Sequence, residues 1–207
     1  MRTLVIDCAT EACSIALFDG DRLIANEHRV LGRGHAERLV PMIAALPNKG
    51  RADRILVSRG PGSFTGVRIG IATARALGFA WKSEVLGYPT LALVAAVARS
   101  SVRGPVSVSM TAGHGEWFVQ NFDAEGLPAA NAQSASPEEA IILAKHEVVA
   151  GTQAEALVEQ RGSGKAIALH PDASHALAIP GSLLVPEFTP IYGRAPDAKL
   201  PQDRAAQ

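Results

Sequence analysis

Arg2-Thr-Leu-Val-Ile-Asp7, Cys13-Ser-Ile-Ala-Leu-Phe18, and the turn Asp19-Gly20-Asp21 into Arg22 to Arg29 form the stretch that decides the architecture. Leu4 to Asp7 is a run short and apolar enough for a buried strand, and Cys13 to Phe18 alternates with a period of two. The Asp-Gly turn joins the second strand to a third, so the chain opens as an antiparallel meander of a sheet. After Leu31-Gly-Arg-Gly34, the spacing of Ala36, Leu39, Val40, Ile43 and Leu46 predicts a helix over His35–Leu46, with Pro41 expected to kink it or delay its start. Arg54 to Ser58 reads as a further buried strand, and Arg59-Gly-Pro-Gly-Ser-Phe-Thr-Gly66 as a loop into a long helix ending near Trp81.

Strand and helix recur through Glu84 to Leu86 and Thr90 to Arg99, and the composition changes at Arg103-Gly-Pro105. Val106 to Met110 and Glu116 to Phe122 predict a second hairpin. Ser136-Pro-Glu-Glu supplies a cap, a proline and first-turn acids for a helix to His146. A strand at Val148 to Ala150 and a helix from Thr152 to Gln160 follow. The order hairpin, helix, strand, helix therefore occurs twice. The expected division is a first lobe over 1–104, a smaller second lobe over 105–195 and a loose tail over 196–207.

With 207 residues, 47% apolar and 19% charged, the chain has the profile of a soluble globular protein, and disordered, collagenous and coiled-coil classes drop out. Aromatic residues make up only 5%, too little ring area for a module that reads RNA by stacking. No leader pattern and no apolar run of about 18 residues is seen, so a cytoplasmic protein with no membrane contact is expected. Cys8 and Cys13 are expected to be reduced core residues, with nothing to complete a zinc site. The net charge of zero hides an asymmetry: residues 1–104 carry 14 basic and 8 acidic groups, residues 105–207 carry 6 and 12. Either the lobes attract each other or the first lobe meets an acidic partner or an RNA backbone.

Two places carry candidate chemistry. Gly60, Gly62, Ser63, Thr65 and Gly66 lie in a strand-to-helix loop whose amides, reinforced by Arg59 and Arg68, suit an anion; the bland alternative is a tight turn with Thr65 as N-cap. Neither a Walker A ending nor G-x-G-x-x-G is present. Asp7 and Thr10 stand where nucleotide-binding hairpins place a metal-associated carboxylate and a hydroxyl, yet position 9 is Ala where close phosphate approach favours Gly. The six histidines form neither H-x-x-x-H nor H-E-x-x-H, so no metal site and no cofactor is expected. On a helical wheel the apolar and small residues of the second helix cover about 260°, with Arg68, Arg75 and Lys82 on the remaining strip. Gly66, Gly70, Ala74 and Gly78 recur every four residues, predicting a helix–helix contact with the preceding helix, alone or together with a partner subunit.

Ile6-Asp-Cys-Ala-Thr-Glu-Ala-Cys-Ser14, His35-x-x-x-Leu39-x-Pro41-Met42 and Ser58-Arg-Gly-Pro-Gly-Ser-Phe-Thr-Gly-Val-Arg-Ile-Gly-Ile71 together resemble the TsaB (YeaZ) family. The likeness covers residues 1 to about 100 and continues faintly through Gly115-Glu116 and Pro190-Ile-Tyr192-x-Arg194. It implies an α/β, actin-like ATPase (ribonuclease H-like) fold of two lobes, each a mixed sheet with flanking helices. It also implies a non-catalytic scaffold role in placing threonylcarbamoyl on the adenosine beside the anticodon of tRNAs that read codons beginning with A. The implied partners are a TsaD-type catalytic subunit and a TsaE-type ATPase, with a homodimer when the chain is alone and tRNA met only through the complex. Carried onto this sequence, the pairing surface comprises His35, Leu39, Met42, Phe64, Val67, Arg68, Gly70, Ile71, Ala74, Arg75 and Gly78. Thr111-Ala112-Gly113 departs from the family's Asp-Ala-Arg. The competing expectations are a small ATPase or carbamoyl-transferring enzyme using Asp7, Thr10 and the glycine loop, and, further off, a metallopeptidase.

Overall fold

A computed structural model describes residues 1–186 and 189–193; Arg194 and the expected tail lie outside the described residues. β1 (Arg2–Asp7), β2 (Ala12–Asp19) and β3 (Arg22–Val30) form the antiparallel meander, and β4 (Arg54–Ser58) and β5 (Glu84–Tyr88) add in parallel beside β1. The resulting order is β3-β2-β1-β4-β5. β6 (Val106–Gly113), β7 (Glu116–Phe122), β8 (Gln133–Ala135), β9 (Val148–Ala150) and β10 (Lys165–Ile167) build the second sheet in the order β10-β9-β6-β7-β8. With β6 in the place of β1, this is the same topology, a mixed five-stranded sheet that occurs twice.

Five layers result. α1 (His35–Ala45) and α2 (Phe64–Trp81) cover one face of the first sheet, closing on Leu4, Ile6, Ile15, Leu17, Ile55 and Val57. The other face, presented by Val5, Ala16, Phe18 and Leu56, meets α3 (Thr90–Arg99), which also packs on Val106, Val108 and Phe122 of the second sheet. α4 (Pro137–Leu143) and α5 (Ala154–Arg161) close the far side over Trp117, Val119 and Val149. β1 is thus buried on both faces, which is why its sequence is continuously apolar rather than alternating.

Several boundaries differ from expectation. α2 begins two residues early because Ser63, not Thr65, is the N-cap: its Oγ accepts from the Gly66 amide at 3.2 Å. α1 starts at His35 with Pro41 inside it, and its buried stripe is His35, Leu39, Met42 and Ile43, so Ala36 and Val40 face outward. α4 carries the expected cap at Ser136 as a full capping box but stops at Leu143. β8 had no sequence signal. The 3₁₀ turn at Ala173–Ala178, counted with the second lobe from sequence, packs on β1, β2, β3 and α3, with the Ala173 amide donating to Ser14 Oγ at 2.9 Å. Beyond it, Val185 bridges Gly87 of β5, and the Ile191 amide donates to the Arg59 carbonyl at 2.7 Å.

Candidate functional site

The turn between β1 and β2 is the floor on which the glycine loop sits. The Ser63 amide donates to the Ala9 carbonyl at 2.7 Å, and a Cβ at Gly62 would stand 2.0 Å from that same oxygen. A Cβ at Gly66 would stand 1.9 Å from the Cys8 carbonyl oxygen. These glycines therefore serve the close approach of α2's first turn to β1–β2, which places protein carbonyls under the loop where an anion cradle would need open amides. Asp7 lies beneath this seat, fully buried, and does not reach the cleft. Its Oδ1 accepts from the Ala9 amide at 3.0 Å and its Oδ2 from the Tyr88 hydroxyl at 3.2 Å. Burial pushes the carboxyl up from 3.8 to about 6, against the pull of the Ala9 amide and the Ser58 and Tyr88 hydroxyls.

A cleft of about 1130 Å³ lies between the lobes. Thr10, Gly62, Ser63 and Thr65 line it on the first-lobe side, and Thr111 to His114 with Phe118 face them. The structure brings those four expected anion contacts together and leaves out Asp7, Arg59 and Gly60. Arg59 is turned to the C-terminal segment, donating from Nε to the Thr189 carbonyl at 3.1 Å. At the cleft's edge Arg68 stacks 3.5 Å over the Phe64 ring and donates to the Tyr192 hydroxyl at 2.9 Å. Cys8 and Cys13 are free and buried, Sγ to Sγ 3.5 Å; the hydrogen bond between them raises the Cys8 thiol and lowers Cys13. Among the described residues no three His, Cys, Asp or Glu side chains are placed to hold a metal ion. No helix among them is long and apolar enough to cross a membrane.

The pairing residues divide in two. His35, Leu39, Met42, Val67, Gly70, Ile71, Ala74 and Gly78 are buried by the chain itself. His35 donates from Nε2 to the Ala12 carbonyl at 3.3 Å, pinning α1 to β2. The small-residue stripe of α2 faces its own sheet: Gly70 lies over Val57, Cys8 and Ile6, and Gly78 over Val85. Part of the wide apolar arc is thus taken by two neighbours in the same chain, the sheet below and α1 alongside, and Ala72, Ala76 and Phe79 remain exposed. Phe64, Arg68 and Arg75 do face outward.

The outward face contains residues that sequence reasoning missed. Phe79 is 91% exposed and Val40 56%, and between them α1 and α2 present Ala36, Pro41, Ala44, Ala72 and Ala76 to solvent. A signal was available. Phe79 follows Arg75 by four positions and Arg68 by eleven, so it shares the side of the helix that the cations mark as solvent-facing.

The model of the family described as "TsaD: tRNA N6-adenosine threonylcarbamoyltransferase" matches residues 27–175. The Escherichia coli (strain K12) protein named "tRNA threonylcarbamoyladenosine biosynthesis protein TsaB" is 34% identical over 61% of this chain and 58% of its own length. The Haemophilus influenzae protein of the same name is 40% identical over 46% of this chain and 42% of its own. The chain thus spans about half the length of these curated relatives. "YeaZ from Pseudomonas aeruginosa" superposes with a TM-score of 0.77 at 28% identity, over 92% of this chain and 99% of that one. A second Pseudomonas aeruginosa structure, described as similar to peptidase YEAZ, reaches 0.79 at 28% identity over 93% and 99%. By the match over 27–175 the chain belongs to the TsaD family, and it is similar in sequence and in fold to the TsaB (YeaZ) proteins.

Proposed function

We propose that the chain takes part in tRNA threonylcarbamoyladenosine biosynthesis as a non-catalytic subunit, docking a TsaD-type catalytic subunit through the outward face of α1 and α2. A TsaE-type ATPase joins the assembly, and the same face pairs with its own copy when the partner is absent. The observation that carries this reading is the exposed apolar strip of Val40, Ala44, Ala72, Ala76 and Phe79 on two adjacent helices whose other faces already hold the core. Exposed apolar residues gathered on neighbouring helices in this way support an interaction surface. The names of the relatives support the pathway. The ATPase or carbamoyl-transfer alternative would need Asp7 at an open phosphate site, and here that carboxyl is sealed under the glycine loop.

Phe79→Asp and Ala76→Glu test the reading, since both side chains are exposed and both changes leave the core untouched. Each is expected to weaken binding to a purified TsaD-type subunit at least tenfold in calorimetry while the thermal midpoint of the isolated chain stays within about 2 °C. Unchanged affinity in both variants overturns the docking face. Gly70→Glu and Ala74→Glu, on the small-residue stripe, are unsuitable because they place a charge inside the first-lobe core.

A further inference from the structure

Cys8 and Cys13 are the two cysteines of the chain, and the fold sets them face to face. The antiparallel register that pairs Arg2 with Asp19 and Asp7 with Ser14, carried one step further, places Cys8 opposite Cys13. Directly opposed residues of such a ladder have Cα atoms about 4.5 to 5.5 Å apart, inside the range of about 4.4 to 6.8 Å that a disulfide spans. Both side chains enter the core between the first sheet and its two helices, with Sγ to Sγ 3.5 Å. The backbone therefore needs little rebuilding for an S–S bond of about 2.05 Å to form.

The geometry points to Cys8 and Cys13 as a reversible disulfide-forming pair, oxidised by a hydroperoxide, whose bond fastens the hairpin on which α1 and α2 are seated.

The reaction balances with one molecule of hydrogen peroxide. The Cys13 thiolate attacks one peroxide oxygen, the O–O bond breaks, and Cys13 becomes a sulfenic acid; the departing hydroxide takes the proton Cys13 released and forms water. Cys8 sulfur then attacks Cys13 sulfur, the S–S bond forms and the S–O bond breaks. The leaving hydroxide takes the Cys8 proton as a second water. Two electrons have passed from the sulfurs to the peroxide. The hydrogen bond between the thiols favours this order, since it lowers Cys13 and raises Cys8. A dithiol reductant reverses the reaction by exchange.

The loop that the bond closes, residues 8–13, carries the starts of both helices. Ala9 carbonyl accepts from the Ser63 amide, Gly66 rests on the Cys8 carbonyl, and Ala12 carbonyl accepts from His35 Nε2. Burial sets the rate. Cys8 is 1% exposed and Cys13 is fully buried, so peroxide enters when the first turn of α2 lifts from the hairpin. Thr10 and Glu11 of the hairpin line the cleft, so that opening admits water and small oxidants. Once formed, the bond restricts the hairpin in its opened and unfolded states, and the seat holds more tightly.

The test treats the reduced full chain with hydrogen peroxide under native conditions, follows free thiols and intact mass, and then measures thermal unfolding. Both thiols are expected to disappear together with a mass loss of two hydrogen atoms per chain. The thermal midpoint should rise by about 5 °C and return on adding a dithiol reductant. Cys8→Ala, run in parallel, should gain oxygen at Cys13 and show no such rise. Four results each overturn the proposal. They are thiols that survive excess peroxide or react only in urea that unfolds the chain, oxygen added to each cysteine in place of hydrogen lost, a disulfide joining two chains, and an oxidised midpoint at or below the reduced one. An equal rise in Cys8→Ala overturns it as well, since the effect would then not come from the pair.

Discussion

Gly66→Ala is expected to destabilise the protein by about 3 kcal/mol or more, while Gly70→Ala, one helical turn later, should leave it unchanged or raise its stability by up to about 1 kcal/mol. Intrinsic helix propensity treats the two sites alike, since both lie within α2 and alanine is the better helix former. Contact geometry separates them. At Gly66 the new carbon would lie 1.9 Å from a backbone oxygen of Cys8, and a backbone atom in the β1–β2 turn has nowhere to retreat. At Gly70 the nearest atom is Val57 Cγ2 at 3.6 Å, an ordinary van der Waals separation. Gly62→Ala should behave like Gly66→Ala, being 2.0 Å from the Ala9 carbonyl oxygen. Urea unfolding followed by circular dichroism measures all three. Equal midpoints for Gly66→Ala and Gly70→Ala would show that the first turn of α2 does not rest on β1–β2.

Asp7→Asn is expected to become progressively more stable than the parent as pH rises from 4 to 7.5. The carboxyl titrates near 6 in the folded chain against 3.8 when unperturbed, so between those values the folded state holds the proton more tightly than the unfolded one. Stability from this group is therefore fully present below about pH 4 and is lost as pH rises through 6. A shift of this size corresponds to about 3 kcal/mol, to be taken as an order of magnitude. Asparagine keeps an oxygen for the Ala9 amide and carries no charge into the core, so it escapes that loss. Near pH 4 the variant should sit at or slightly below the parent, because its amide nitrogen must find an acceptor where Oδ2 accepted from Tyr88. Thermal unfolding at pH 4.0, 5.5 and 7.5 reads the difference. A constant gap between variant and parent at all three would mean that Asp7 is ionised freely and open to solvent.

Much of the fold was legible because it is written in local patterns. The meander of β1–β3, the cap at Ser136 and the strand at Val148–Ala150 each follow from periodicity or a short-range hydrogen bond. The repeat of hairpin, helix, strand and helix was readable for the same reason. Where a boundary was missed, a competing local partner decided it. Ser63 and Thr65 are both good caps, and only the position of the Gly66 amide shows which one is used. β8, three residues long, has too few side chains to show a period.

The candidate site was less legible, for a physical reason seen best in α2. A wheel reports which residues share a direction, and it correctly grouped Gly66, Gly70, Ala74 and Gly78 on one side. It does not report what occupies that direction. The stripe read as a seat for another helix is covered by the sheet of the same chain, and the exposed apolar strip lies around Phe79 and Ala72 on the opposite side. Asp7 shows the same limit. Its place at the end of a first strand is local information, and whether it meets a ligand or the underside of a loop depends on Gly62 and Gly66, more than fifty residues away.

What this sequence determined by itself was most of the longer elements, their repetition in two halves and a family likeness resting on the first hundred residues, because hydrogen-bond periodicity and capping act within a few residues. What only the tertiary structure decided was which apolar faces remain open. α2 has more apolar surface than its two neighbours within the chain cover, and Ala72, Ala76 and Phe79 stay exposed. Exposure is set by long-range packing, so the exposed apolar strip became visible once the sheet and α1 had taken their share.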